Sequence, residues 1–504
     1  MSKYSEHKKA AILSYVGTIV SILLGIFITP FIIRMLGDAQ YGLYTLIGAF
    51  VGYLSILDLG LNNTIVRYVA QYRAQNDKKG EENFLAISFI IYLVIGLLIL
   101  LVGMGFYLSS DLLFSNTLTP EELSQAKLMI LILVANLAIT IPGGAFVGIC
   151  SGYEKFVFPR VLTIIRHITR AVMVIAILTM GSDALGLVIL DSVLNVAFIL
   201  ITGIYVFRKL KISVKLHEYK SLYVKEIFSY SVWVFLFALM FQFQWRSGQL
   251  ILGITTSTVT VAIFGIGVML GVYYTTFGNI INRLLLPKAV QSVYKGASSS
   301  ELTNQMIKIG RLTMVPLLYI FGAFLLIGQD FIQLWVGDTY KNSWLIALLI
   351  MLAYILPMAQ GYAHSILEAQ KKLRFKSLMF LAFCLAGIIL GWYLSYMYQE
   401  IGMIVGLFSG MVLLQIVMNF YYQKKIELDI VLYFKKAIFP YVLPFIFIAL
   451  IGCGINYLLE TVSWSIFILK SMIYSIIYII MIALFVLKKE ERQIFLLLFV
   501  KKNN

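Results

Sequence analysis

Four arginines fall inside stretches that otherwise hold almost only apolar residues: Arg166 and Arg170 in "IIRHITR", Arg246 in "FQFQWRSGQLILG", and Arg283 closing "NIINR". A guanidinium stays charged when partly desolvated and binds phosphate or carboxylate oxygens two at a time, so the chemistry these residues suit is anion recognition. Gln242, Arg246 and Gln249 share one helix face at i, i+4, i+7, and Asn279 precedes Arg283 by one turn. The motif "NTIVR" puts Asn63 and Arg67, with Gln71 a turn further on, in the same pattern 216 residues earlier. Just before it, Asp58 and Asn62 read as an adjacent i, i+4 pair on one helix.

A charge in mid-membrane costs at least about 2.5–3.5 kcal/mol, so each of these groups should face protein or a wet cavity. Two alternatives stay open. Arg67 and Arg283 lie toward helix ends and can snorkel to the interface. Arg166 and Arg170 can belong to a structural ion pair with Asp191 in place of a cavity.

The elements that must carry these residues follow from composition. Of 504 residues, 61% are hydrophobic and only 13% charged, with a mean hydropathy of +0.91. Soluble domains are near half apolar and a quarter charged, which makes this a polytopic membrane protein. A span needs roughly 20 mostly apolar residues. Fourteen such stretches begin near residues 10, 41, 84, 127, 157, 184, 227, 258, 309, 343, 374, 400, 437 and 463. They are too long and unbroken for the ten-residue alternation of a membrane barrel, so the expected fold is all-α.

Placing the N-terminus in the cytoplasm puts 32 of the 40 Lys and Arg on that side, four outside and four within spans. That asymmetry is the positive-inside pattern for an even span number with both termini cytoplasmic. The formal charge of +16 is therefore topological, and nucleic-acid binding is not expected. The basic N-terminus precedes a retained first span, since the apolar run has no small-residue cleavage site. Cys150, Cys384 and Cys453 are scattered, which supports neither a disulfide framework nor a metal site, and no cofactor is indicated.

Besides the Asn-x-Ile-x-Arg pair, Leu36-Gly37 recurs as Leu252-Gly253 and Gly186 as Gly402 at the same offset. The repeat divides the chain into a six-helix bundle over 1–213, a second over 214–425, and two more helices with an amphipathic tail over 426–504. Six is even, so the bundles enter the membrane in the same sense, in parallel pseudo-twofold repeat. That arrangement permits alternating access. The basic segment 207–226 joins the two as a solvated loop, and the tail after 488 suits a helix lying in the inner interface.

Gly402, Gly406 and Gly410 form a small-residue face suited to close helix packing. Pro30 and Pro142 can bend their helices, and His364 stands alone on an apolar face in a structural role. There is no H-E-x-x-H, P-loop or G-x-S-x-G motif, and the outer loops are short, so no enzyme is indicated.

"TPFIIRMLGDAQYGLYTLIGAFVGYLSILDLGLNNTIVRYVAQY" resembles the opening helices of the bacterial polysaccharide flippases, the O-antigen and capsule exporters of the multidrug/oligosaccharidyl-lipid/polysaccharide superfamily. "FIQLWVGDTYKNSW" and "ILEAQKKLRFKSLMF" resemble segments of that family's second half. The resemblance implies a flippase of the bacterial inner membrane that moves an undecaprenyl-diphosphate-linked oligosaccharide from the cytoplasmic to the outer leaflet. Membrane lipids surround it, and a glycan polymerase and assembly proteins are its implied partners. Arg246, Arg283, Arg170 and Arg166 are the positions fitted to line its cavity. Where the family pattern leads one to expect an acid before Leu-Gly in the seventh span, this chain has "RSGQLILG"; Asp58 and Asp191 are then the ion-coupling candidates. The rival readings are a cation-coupled multidrug exporter of the same fold and a non-transporting subunit of a glycan-assembly complex.

Overall fold

The computed structural model describes residues 3–58, 60–218, 239–282, 285–460, 463–489 and 491–492, and among these the elements are helical with no strand. Among the described residues, twelve helices are long and apolar enough to cross a membrane. The last of the apolar starts expected from sequence, near 463, coincides with a helix beginning at Trp464, and the first falls inside a helix beginning at Lys3. By internal contacts the chain forms two compact units, Met1–Ala262 and Ile263–Asn504.

The first unit holds α1 (Lys3–Leu36), α2 (Asp38–Leu54), α3 (Leu61–Ala74), α4 (Lys78–Phe114), α5 (Pro120–Gly152), α6 (Val157–Thr179) and α7 (Ala184–Ile204). It ends with α8, over 239–255. The expected seventh span begins at 227, and its part before 239 lies outside the described residues. Helix ends are fixed by local sequence. Asp77 caps α4 by accepting from the Gly80 N–H at 2.8 Å, Thr119 and Glu122 form a capping box on α5, and Asp183 accepts from the Gly186 N–H at 3.0 Å to start α7. Within the unit α4 packs on α5, α1 on α6, and α5 on α7. Leu93, Leu97, Leu101 and Leu108 of α4 remain exposed, as a lipid-facing surface requires.

The segment after α7 does not hang free along its whole length. Ser213 donates to Glu82 Oε1 at 2.8 Å, the His217 ring stands 2.9 Å from Glu82 Oε2, and the backbone N–H groups of His217 and Glu218 both donate to Asn83 Oδ1. The expected solvated loop is thus tied, over 213–218, to the start of α4. Its continuation from 219 lies outside the described residues.

The boundary falls inside α9 (Thr258–Asn282), most of which belongs to the second unit, and that unit continues with α10 (Leu286–Tyr294), α11 (Ser299–Val336), α12 (Ser343–Ala359), α13 (Gly361–Ala369) and α14 (Leu373–Lys425). It closes with α15 (Ile430–Tyr433), α16 (Phe439–Leu458) and α17 (Trp464–Phe485). Helix α14 is two arms joined by a reversal at Gln399, whose φ of 49° and ψ of −128° leave helical geometry. The arms meet through glycine: a Cβ on Gly406 would stand 2.2 Å from the Gly391 nitrogen, and one on Gly410 2.3 Å from the Phe383 carbonyl oxygen. The small-residue face read from sequence therefore lets two backbones touch.

Helices α16 and α17 are strapped to α11 near both ends. Buried Lys470 pairs with Asp330 at 3.1 Å. At the other end Arg311 grips Glu491 with two bonds of 2.7 Å and donates to the carbonyls of Val486 and Lys436. Residues 493–504, where an interfacial helix is expected, lie outside the described residues.

Two outcomes test this account. Burial pushes the Glu491 carboxyl up, but the bonds from Arg311 and the Lys488 N–H outweigh it and hold the group below its ordinary range. A depressed folded value contributes stability above the unfolded pKa of about 4.3, lost as pH falls through the folded value. Thermal unfolding should show that acid loss in the wild type and not in Glu491→Gln, which is less stable at neutral pH. Gly406→Val should cost about 1–3 kcal/mol or more through overpacking, read as a lowered unfolding temperature and reduced monodisperse yield.

Candidate functional site

The site is built on α2, α6, α7 and α8 of the first unit. Arg166 and Arg170 are one turn apart on α6, and Asp191 and Asn195 are one turn apart on α7, so the two helices face each other as a ladder with two rungs. On one rung the Arg170 Nε lies 2.5 Å from Asp191 Oδ1 and its Nη2 lies 3.0 Å from Oδ2. Tyr44 of α2 closes that rung. Its hydroxyl donates to Asp191 Oδ2 at 2.8 Å and accepts from Arg170 Nη2 at 3.0 Å. On the other rung Arg166 donates to Asn195 Oδ1, a neutral partner.

The structure thus shows the Arg170–Asp191 ion pair that the sequence offered as the alternative to a free cavity position. The pair is only partly buried, with 30% and 21% of the two side chains exposed. Arg166 has no hydrogen-bonded carboxylate among the described residues, and it borders a cavity of about 270 Å³ between α5, α6 and α7. Arg160, Thr163, Asn195, Thr140 and Thr202 also line that cavity. Neither Arg160 nor the cavity was singled out from sequence, because Arg160 counts as an ordinary interfacial cation.

Arg246 of α8 lies over α2 at Gly52. A Cβ there would stand 3.1 Å from the Arg246 Nε and 3.3 Å from Gln242 Oε1, so glycine makes the room for both side chains. Gln242 donates to Ser55 Oγ at 3.3 Å. Half-buried Arg246 has no hydrogen bond or ion pair with a carboxylate among the described residues; the titratable groups close enough to act on it are Tyr44 and Tyr53. Gln249 is buried with its Oε1 unpaired. Tyr44 touches the paired arginine and acts on the unpaired one. Sequence reasoning missed it, since one tyrosine among 31 carries no spacing signal.

One expectation is corrected. Asp58 and Asn62 do not share a helix, because α2 gives way to a single 3-10 turn, Ser55–Asp58, and Gly60 takes the left-handed conformation (φ 72°) before α3 starts. Glycine meets no Cβ penalty there. Asp58 instead accepts from the Tyr92 hydroxyl of α4 at 3.3 Å and from the Gly60 backbone, while Asn62 lies against Gly148 of α5. Asn63, Arg67 and Gln71 do share the exposed face of α3 expected of them, with Arg67 5.6 Å from the Tyr68 ring. Asn279 is exposed near the end of α9, and Arg283 lies outside the described residues. No group of three or more His, Cys, Asp or Glu able to hold a metal occurs among the described residues.

A polytopic all-helical membrane protein with a multidrug-exporter-like fold is the class this architecture defines. The chain superposes on the lipid II flippase MurJ in an inward closed conformation with a TM-score of 0.67 at 14% identity, covering 94% of this chain and 98% of that one. An inward-facing multidrug resistance transporter of the MATE family, MOP superfamily, gives 0.65 at 16% identity, covering 82% and 94%. At such identities the likeness is one of fold. Residues 7–287, more than half of the chain, match the model of the polysaccharide biosynthesis protein family, and the chain belongs to that family.

Among curated relatives, the uncharacterized membrane protein EpsK of Bacillus subtilis (strain 168) is 23% identical over 336 residues, 64% of each chain. A putative O-antigen transporter of Shigella flexneri is 25% identical over 234 residues, 45% of this chain and 53% of that one. The matches span less than two thirds of either relative. The resemblance read from sequence to a polysaccharide biosynthesis family is thus borne out.

A double-mutant cycle tests the ladder. Asp191→Asn alone leaves Arg170 unpaired and should cost about 2–3 kcal/mol, below the roughly 3–5 of a dry pair because both side chains keep some exposure. Asp191→Asn with Arg170→Gln should recover part of that loss. Additive losses in thermal unfolding would show that the rung carries no coupling.

Proposed function

We propose that the protein flips a lipid-linked oligosaccharide bearing a polyprenyl diphosphate, from the cytoplasmic to the outer leaflet of a bacterial inner membrane, by alternating access. Cell-surface polysaccharide assembly is the process it serves, with a glycan polymerase and assembly proteins as partners. One observation carries this reading: on α6, α7 and α8 three intramembrane arginines, Arg166, Arg170 and Arg246, face a single carboxylate, Asp191. Asp191 is occupied by Arg170, while Arg166 and Arg246 have only neutral partners or none among the described residues. Such a surplus suits a diphosphate, whose oxygens match guanidinium forks. It disfavours a cationic drug.

The family and the name of the Shigella relative support the same substrate class. In this mechanism Arg166, Arg170 and Arg246 receive the diphosphate, with Gln242, Gln249 and Tyr44 as neutral donors beside them. Arg283, Asn63, Asn279 and Arg67 are the further polar residues assigned to the substrate. The glycan crosses in a wet interior and the prenyl chain stays in lipid. Moving the diphosphate outward across a potential negative inside is downhill by about 2.3 kcal/mol per charge per 100 mV. Asp58 is the stronger ion-coupling candidate, since Asp191 is engaged by Arg170.

Flipping of an undecaprenyl-diphosphate-linked oligosaccharide by the reconstituted full-length protein is the decisive measurement. Arg246→Ala and Arg283→Ala should each lower the rate about tenfold or more, the loss of a charge-assisted contact. Wild-type rates in both folded variants would sink the site assignment. Extrusion of a cationic dye with no lipid flipping would favour the multidrug exporter.

A further inference from the structure

The second unit carries a pair of bases that the arginine site does not use. Lys376, near the start of α14, places its Nζ 3.1 Å from the His364 Nδ1 of α13. His364 is therefore not alone, as its sequence context suggested. Both side chains are half-buried, and neither has a carboxylate partner among the described residues.

The geometry fixes the roles. An ammonium has donors only, so Nζ donates and Nδ1 accepts, and the neutral imidazole carries its proton on Nε2. The dyad then presents a net positive charge with two further ammonium N–H groups and the Nε2–H. One turn before His364, at the junction of α12 and α13, buried Gln360 donates to Asn419 at 2.8 Å and accepts from Gln415 at 2.6 Å. That neutral network satisfies its own members and holds α13 to the second arm of α14. The charged dyad beside it has no such closure. Lys371, Lys372 and Arg374 are exposed on the adjoining turn, against the single exposed acid Glu368. By the positive-inside count, residues 371–376 fall on the cytoplasmic side, within reach of headgroup phosphates.

We propose that Lys376 and His364 form a binding station for the phosphate group of a lipid, separate from the arginine site of the first unit and independent of its role. Three donors around an uncompensated charge match phosphate oxygens, and phosphate supplies the missing counter-charge. Two lipids carry this chemistry: an anionic bilayer phospholipid and a polyprenyl phosphate.

Native mass spectrometry of the full-length protein with phosphatidylglycerol, undecaprenyl phosphate and phosphatidylcholine tests the station. A lipid with an uncompensated phosphate should be held in preference to phosphatidylcholine. Its affinity should fall about tenfold in Lys376→Gln and recover in part in Lys376→Arg. Binding of phosphatidylglycerol identifies a bilayer lipid as occupant; binding of undecaprenyl phosphate alone identifies a carrier lipid. Equal retention of phosphatidylcholine, or unchanged affinity in Lys376→Gln, would overturn the proposal. Should that variant fail to fold, acetylation of Lys376 in the wild type decides: phosphatidylglycerol or undecaprenyl phosphate should slow it, and equal rates with and without both lipids refute the station.

Discussion

Inside a hydrocarbon layer no water is present to complete a charge, so every ionised group must find its counterpart in the protein or keep a path to something polar. In the first unit this constraint comes to rest on Asp191. Its carboxylate takes two bonds from Arg170 and one from Tyr44, which ties α2, α6 and α7 together through one acid. Because that acid is engaged, Arg166 and Arg246 have no hydrogen-bonded carboxylate among the described residues, and their positions acquire meaning. Arg166 opens on a cavity and Arg246 rests on a glycine, the two settings in which a side chain stays accessible.

The second unit meets the same constraint along a helix backbone. Pro316 sits inside α11 and cannot donate to the carbonyl one turn before it. Tyrosines from three neighbouring helices surround this region: Tyr441 donates to the Arg311 carbonyl, Tyr478 to Val315, Tyr274 to Leu317 and Tyr474 to Tyr319. With Lys470–Asp330 and Arg311–Glu491 near the two ends, α16 and α17 are fixed to α11 by polar contacts, as lipid-embedded helices must be when burial gives no hydrophobic gain. The last two spans are thus an integral part of the second unit.

What sequence revealed and what it hid follow from the range of each signal. Span positions and glycine faces depend on composition over about 20 residues, and the glycine face at 402–410 did prove to be a backbone contact. Intramembrane arginines are conspicuous because the bilayer penalises them. Their neutral partners are not conspicuous. Tyr44 and Asn195 join Arg170 and Arg166 from other helices, and nothing local marks them. The Asp58–Asn62 pairing failed for a local reason: helical spacing assumes an unbroken helix, and Gly60 breaks it. The same residue type that signals close packing at 406 signals a left-handed turn at 60, and only the backbone distinguishes them.

That break also bears on how charge is handled during a transport cycle. A helix interrupted in the membrane exposes backbone groups, and Asp58 sits at the interruption with a neutral tyrosine in place of a cation. Asp191 is the opposite case, held by two bonds from a guanidinium. A carboxylate whose partner is a fixed cation cannot readily exchange a proton or a metal cation without breaking its rung. One whose partners are a hydroxyl and a backbone N–H can. Asp191 and Asp58 are therefore suited to different work: Asp191 orders the arginines, and Asp58, with only neutral donors on it among the described residues, is the one that the proposed mechanism assigns to an ion.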